Sequence, residues 1–116
     1  MTTPYQDSLD ALTRVSAVQG AMLVTRSDAL VVAESVMEDV DSAALAALAN
    51  SLVRRLEAAT AAAAGGPPHF VHVQASGGTV LAAPVGPEML LLGIGGRGLN
   101  IGRVRLVMTR VAVAAG

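Results

Sequence analysis

Few residues of this 116-residue chain could do chemistry, and the most suggestive of them are glycines. The segment from Gly93 to Gly98 spells G-x-G-x-x-G directly after an apolar run, which is the local pattern of a dinucleotide-binding loop. Such a loop also needs a second parallel strand and an acidic residue about 20 positions further on, which binds the ribose. The printed sequence has no acidic residue after Glu88. We therefore interpret the glycines as a turn from a strand into a helix, and we expect no cofactor.

The remaining polar residues do not form a pattern typical of a metal site or a catalytic centre. His69 and His72 are the two histidines, and on a strand at this spacing they would point to opposite faces, which disfavours a shared metal. Asp39 and Asp41 precede a helix, where carboxylates stabilise the helix start. The serines have no histidine at the spacing of a triad, and the chain has no cysteine and no lysine. The sequence predicts a protein that is not an enzyme.

The composition limits the class of partner. A hydrophobic content of 53% predicts a packed core, and we expect residues 1–116 to form a single domain. Eight arginines against nine acidic residues give a net charge of −1, and Tyr5 and Phe70 are the only aromatic residues, so neither a basic track nor a stacking platform for nucleic acid is present. The first residues, Met1 to Asp7, carry no positive side chain, and no apolar run reaches about 20 residues. We expect a cytoplasmic protein with no nucleic-acid partner and no membrane insertion.

The first half of the sequence predicts a helix, a hairpin and a long helix. Thr3-Pro4-Tyr5-Gln6 combines a cap, a proline and a glutamine in the order of a helix start, which predicts a helix over about residues 4–17. Short apolar runs at 21–25 and 30–33, joined by Arg26-Ser27-Asp28-Ala29, predict a hairpin. An alanine-rich segment predicts a helix over about 41–64. It follows Glu38, Asp39 and Asp41 and ends at Gly65-Gly66-Pro67-Pro68.

The second half predicts three strands and a closing helix. Phe70–Gln74 alternates like a half-buried strand, and Ser76-Gly77-Gly78 turns the chain into a second strand at 79–83, which Pro84 weakens at its end. Met89–Ile94 is continuously apolar, as is typical of a central strand. Asn100 caps a final helix, whose inner stripe consists of Ile101, Val104, Met108 and Val111, with Arg103 and Arg110 facing outward. The fold class is a three-layer α/β fold of order α-β-β-α-β-β-β-α, in which a five-stranded, mainly antiparallel sheet carries helices on both faces.

The long helix has two sides of different character. Asn50, Arg54 and Glu57 lie on one side, and we expect them to point away from the core. The opposite side is a leucine stripe that we expect to be buried, made of Leu45, Leu48, Leu52 and Leu56, with Ala49 and Val53 beside it. Because many positions are alanine, this helix can approach another helix closely.

In this order the elements resemble the Roadblock (dynein light chain) domain family, a relative of the longin and profilin-like folds. The resemblance covers essentially the whole chain. It rests on Val18-Gln19-Gly20-Ala21 before the first strand, the hairpin at Ser27-Asp28, the alanine-rich middle helix, the Gly77-Gly78 turn with Val80-Leu81-Ala82-Ala83-Pro84-Val85, and the Leu99-Asn100-Ile101-Gly102 helix start. Ala29 departs from the family pattern, because the family usually has glycine there.

The resemblance implies a homodimer. Its third strands pair with each other, here through Phe70, Val71, His72, Val73 and Gln74, and the two long helices lie side by side, with Leu48 and Leu52 between them. The residues support this independently, because an uncharged, alternating edge strand is otherwise prone to aggregate.

The resemblance also implies a partner. In bacterial members of the family the paired long helices meet a Ras-like small GTPase, and the dimer promotes GTP hydrolysis without supplying an arginine finger. Asn50, Arg54, Arg55 and Glu57 are therefore candidate contacts, and we expect a non-enzymatic regulator or scaffold of a Ras-like small GTPase in a bacterial cytoplasm. A small-molecule sensor of profilin-like fold and a structural adaptor remain alternatives. The sensor needs an enclosed pocket with convergent polar groups.

Overall fold

The computed structural model describes residues 4–37 and 39–115, and the elements within these ranges follow the predicted order. Thr3, the predicted first cap, and Glu38 lie outside the described residues. The elements are α1 (Pro4–Thr13), β1 (Val18–Thr25), β2 (Val31–Val36), α2 (Ser42–Ala62), β3 (Val71–Ala75), β4 (Gly78–Val85), β5 (Met89–Gly95) and α3 (Ile101–Ala115).

The five strands form one antiparallel sheet in the order β2-β1-β5-β4-β3, as the short connections predict. The two strands with continuous apolar sequence, β1 and β5, are neighbours inside the sheet and pair from Thr25 opposite Met89 to Val18 opposite Gly95. The sheet edges are β2 and β3. Pro84 does not end β4, which continues to Val85 with Pro84 opposite Leu90.

Helices cover both faces of the sheet and bury two separate clusters of side chains. The helices α1 and α3 lie on one face, and their buried residues include Leu9, Leu12, Val104, Met108 and Val111. The other face is covered by α2 through Ala46, Ala49 and Val53, which pack with Met22, Leu90 and Leu92 of the sheet. The predicted inner stripe of α3 is confirmed, with Ile101 half-buried at its start.

The buried face of α2 includes Ala49 and Val53, and Leu45 packs against it, but the prediction of a buried leucine stripe is wrong for Leu48 and Leu52. Leu48 is 71% exposed and Leu52 is 39% exposed, whereas the buried residues of the helix are Ala46, Ala49, Asn50 and Val53. The sheet face beneath α2 is already filled by long side chains from β1 and β5. Small side chains on the helix fit against such a face, and larger side chains would force the helix away from the sheet.

The helices α1 and α2 both end slightly earlier than the sequence predicts. The helix α1 ends at Thr13 rather than near residue 17, because the chain turns so that the Val18 amide donates to the Val15 carbonyl, and this turn carries Val15 into the core. Asp41 caps α2 as predicted, its carboxylate accepting from the Ala44 amide at 3.0 Å.

The C-terminal end of α2 is a Schellman turn. The Gly65 amide donates to the Thr60 carbonyl and the Ala64 amide to the Ala61 carbonyl. Ala64 occupies the left-handed position with φ of 57°. Glycine is favoured in that conformation because it has no Cβ, yet here the left-handed position is taken by Ala64, one residue before Gly65.

Candidate partner-binding surface

The outward side of α2 is an apolar surface with one cation. Leu48, Leu52 and Arg55 follow one another at spacings of four and three residues, which places them on the same face of the helix. All three are exposed. The core contacts of α2 are made by other residues, so the leucines are available to a partner.

The edge strand β3 is open on its outer side. It pairs with β4, and His72, Val73, Gln74 and Ala75 are exposed. β3 has no charged residue, whereas the opposite edge, β2, carries exposed Glu34 near its middle. Charges on an edge strand discourage pairing with another chain. Of the two sheet edges, β3 is therefore the one suited to pairing.

The residues expected at the dimer interface are divided between the two faces of the sheet. Phe70 packs against the α1 and α3 cluster, whereas Val71 packs against the α2 cluster. Because side chains alternate along a strand, Val73 lies on the α2 side and His72 and Gln74 lie on the other side. We call Leu48, Leu52, Arg55 and Val73 the α2–β3 surface, since all four are exposed on one side of the sheet.

Three of the four candidate GTPase contacts already bind another residue of the same chain. Asn50 is only 6% exposed, and its amide donates to the Arg26 backbone carbonyl at 2.8 Å. The Arg54 guanidinium donates to the same carbonyl, and Glu57 forms an ion pair with the Arg26 guanidinium. The expectation that these side chains point away from the core is therefore wrong for Asn50, whereas Arg54 is exposed and Glu57 is half-buried although both make contacts within the protein. The physical reason is that a turn carbonyl, unpaired in the sheet, needs donors when a helix covers it.

Arg26 is the residue that sequence reasoning missed. It begins the turn between β1 and β2, where the Thr25 hydroxyl donates to the Asp28 carboxylate and thereby lowers the pKa of that group. The Arg26 amide donates to the Glu88 carbonyl at 2.8 Å, so one residue connects this turn to α2 and to the turn between β4 and β5. Its contacts on α2 are 24 to 31 positions away in the chain, and no local pattern signals them.

Arg55 differs from these three residues. It is exposed, and it makes no hydrogen bond or ion pair with the described part of the chain. Among the candidate contacts it is the one whose guanidinium is available to another molecule.

Beside the Arg26 contacts is a recess of about 510 Å³, lined by Thr25, Arg26, Ser27, Arg54, Pro87, Glu88 and Met89. It is open to solvent and bordered by groups of both charges. It is therefore not the enclosed pocket that a small-molecule sensor needs.

The glycines of the G-x-G-x-x-G segment allow close packing, and their interpretation as a strand-to-helix turn is confirmed. A Cβ on Gly95 would clash with the Leu99 side chain, and one on Gly96 would lie 2.7 Å from Gln19 Nε2. Gly98 has φ of 82°, a conformation that side chains disfavour. Asn100 then caps α3, its side-chain oxygen accepting from the Arg103 amide at 3.0 Å.

Two further classes of site are absent from residues 4–37 and 39–115. His69 precedes β3 and His72 lies on it, and no three His, Cys, Asp or Glu residues in these ranges are grouped to hold a metal ion. None of the helices in the same ranges combines the length and the apolarity that crossing a membrane requires.

Comparison with known proteins identifies the family. The Roadblock/LC7 domain model matches residues 4–94. Among solved structures, an MglB with tetrameric arrangement superposes with a TM-score of 0.88 at 20% identity, covering 99% of this chain and 89% of that one. The gliding protein MglB of Thermus thermophilus gives 0.85 at 18% identity, covering 99% and 90%, and a Roadblock/LC7 domain of Streptomyces avermitilis gives 0.83 at 21% identity, covering 92% and 90%.

No curated protein sequence matches the chain. The structural likenesses show a shared fold, and the family match extends over most of the sequence. The protein therefore belongs to the Roadblock/LC7 domain family.

Proposed function

We propose that this protein, acting as one Roadblock unit, is a homodimeric regulator or scaffold of a small Ras-like GTPase in the cytoplasm, with no catalysis of its own. The family membership and the likeness to MglB structures support this proposal. The observation that carries it is the α2–β3 surface. Two leucines and a valine are exposed beside an unpaired, uncharged edge strand, although the core beneath α2 is complete without them.

In the proposed dimer the β3 strands of two copies pair with each other and extend the sheet. Pairing would satisfy the open backbone groups of β3. It would also bring the two α2 helices together, so that Leu48 and Leu52 of each copy leave water. Full burial of one leucine side chain contributes about 1.5–3 kcal/mol, so this contact is a substantial part of the association energy.

The GTPase would contact the paired α2 helices, and Arg55 is its principal contact in this proposal. Asn50, Arg54 and Glu57 would act indirectly, because their bonds to Arg26 fix α2 relative to the turn between β1 and β2. An exposed arginine at the centre of an interface is a frequent hot spot. Glu57 is already paired with Arg26. An acidic residue that pairs with Arg55 would therefore come from the partner rather than from this chain.

The test begins with an extract of the native host loaded with either GTPγS or GDP. The immobilised protein should retain a Ras-like GTPase from it, identified by mass spectrometry. The purified GTPase is then titrated against the wild-type protein and the Arg55→Glu variant, and its GTP hydrolysis is measured with and without the wild-type protein. We expect the variant to bind at least roughly tenfold more weakly, with unchanged mass and melting temperature.

Arg110→Glu is the matched control, because it makes the same charge reversal on α3. It should bind the GTPase like the wild-type protein. Full binding by Arg55→Glu together with loss of binding by Arg110→Glu would refute the assignment of the α2 face. Faster hydrolysis would identify an activator, and binding without faster hydrolysis would identify a scaffold.

A further inference from the structure

The helix α3 has a second apolar line besides the one that packs in the core. Its inner residues, including Val104, Met108 and Val111, are buried against α1 and the sheet. Leu106 is 50% exposed and Val113 is 77% exposed. These two residues are seven positions apart, which aligns them along the helix on the side opposite the buried stripe. They contribute little to the core and meet solvent along the outermost line of α3.

Arginines border this line on both sides. Arg103 and Arg110, also seven positions apart, lie to one side of it, and Arg105 lies to the other. All three are exposed, none forms an ion pair with the described residues, and α3 contains no acidic residue. The Arg105 guanidinium carbon lies 5.5 Å from the centre of the Phe70 ring. This cation–π contact holds the Arg105 side chain near the edge of the sheet.

The charge of the chain is unevenly distributed between its two faces. The whole chain has a net charge of −1, yet α1, α3 and the turn after α1 together carry four arginines and two aspartates. In a dimer joined through β3, the two-fold axis is perpendicular to the sheet, so both α3 helices lie on one side and both α2 helices on the other. The α3 side of such a dimer is basic and presents two apolar lines side by side.

We propose that the outer face of α3 docks peripherally on a membrane surface that contains anionic lipid. Leu106 and Val113 would enter the headgroup layer, and the three arginines would contact lipid phosphates, as in amphipathic helices that lie on a membrane. The line combines exposed aliphatic side chains with bordering arginines, and this combination complements the headgroups and phosphates of an anionic lipid surface. This inference does not depend on the GTPase.

The experiment is co-sedimentation of the full chain with extruded vesicles of phosphatidylcholine alone or mixed with phosphatidylglycerol, at low and at high salt. We expect binding to the mixed vesicles only, and weaker binding as salt increases. Arg103→Gln combined with Arg110→Gln should lower vesicle affinity by at least roughly tenfold. Leu106→Ser combined with Val113→Ser should also lower it, and both variants should melt like the wild-type protein, because the four side chains are exposed.

The control is Arg54→Gln combined with Arg55→Gln, which removes the same charge from the opposite face and should bind vesicles normally. Absence of binding to phosphatidylglycerol at low salt would overturn the proposal. An equal loss of vesicle binding in the control, or unchanged vesicle binding of the serine variant, would also overturn the proposal. Either result would show that the protein binds vesicles without using the outer face of α3. If vesicles do not bind and the Arg103 and Arg110 variant instead loses the GTPase, the face belongs to a protein partner.

Discussion

At the scale of single residues, Arg26 determines how the candidate surface is held. Its carbonyl accepts from Asn50 and Arg54, and its guanidinium pairs with Glu57. The helical pattern predicts that these three α2 side chains face water, as amides and charges usually do, and the family resemblance makes them candidate contacts. Asn50 is buried where the turn presents an unpaired carbonyl to its amide, while its side-chain oxygen has no hydrogen-bond partner among the described residues. Such a long-range match has no signature in the sequence.

The left-handed alanine at the end of α2 gives a residue-scale prediction. Ala64→Gly should raise the free energy of unfolding by about 0.5–1 kcal/mol, because it removes the left-handed strain and loses only part of that gain to backbone entropy. Chemical denaturation measures the change. Ala61→Gly is the matched control, since it places glycine within the helix and should destabilise by a similar amount. Destabilisation by both variants would show that Ala64 is not strained.

At the scale of elements, order and pairing were predictable, but the orientation of α2 was not. The apolar runs within β1 and β5 indicate strands inside the sheet, and the inner stripe of α3 indicates which of its faces is buried. The helix α2 is apolar on nearly every side, and its longest side chains suggested the buried face. The structure instead uses Ala46 and Ala49 against the sheet. Hydrophobic periodicity shows that a face is apolar, not whether it meets its own chain or another.

The dimer contact proposed for α2 and β3 can be tested at this scale. The variant Leu48→Glu combined with Val73→Glu should be a folded monomer, because like charges would face each other across the two-fold axis while the core stays intact. Sedimentation velocity and circular dichroism measure these two properties. Leu30→Glu is the control, since Leu30 is exposed outside the α2–β3 surface and its variant should remain dimeric. A dimeric double variant would exclude this contact.

At the scale of the whole molecule, the two sides of one sheet have different proposed tasks. The α2 side presents leucines and a free arginine beside an open edge strand, and the α3 side presents arginines around an apolar line. Neither surface is needed to complete the core. Pairing through β3 would double both surfaces and keep them on opposite sides, so a GTPase and a membrane could be bound together.

This arrangement depends first on self-association, because a single chain offers only half of each proposed surface. The decisive measurement is the mass of the wild-type protein by light scattering after gel filtration, over a range of micromolar concentrations. We expect twice the chain mass of 11.7 kDa. A mass of 11.7 kDa throughout that range would contradict the dimer and the platform proposed to bind the GTPase.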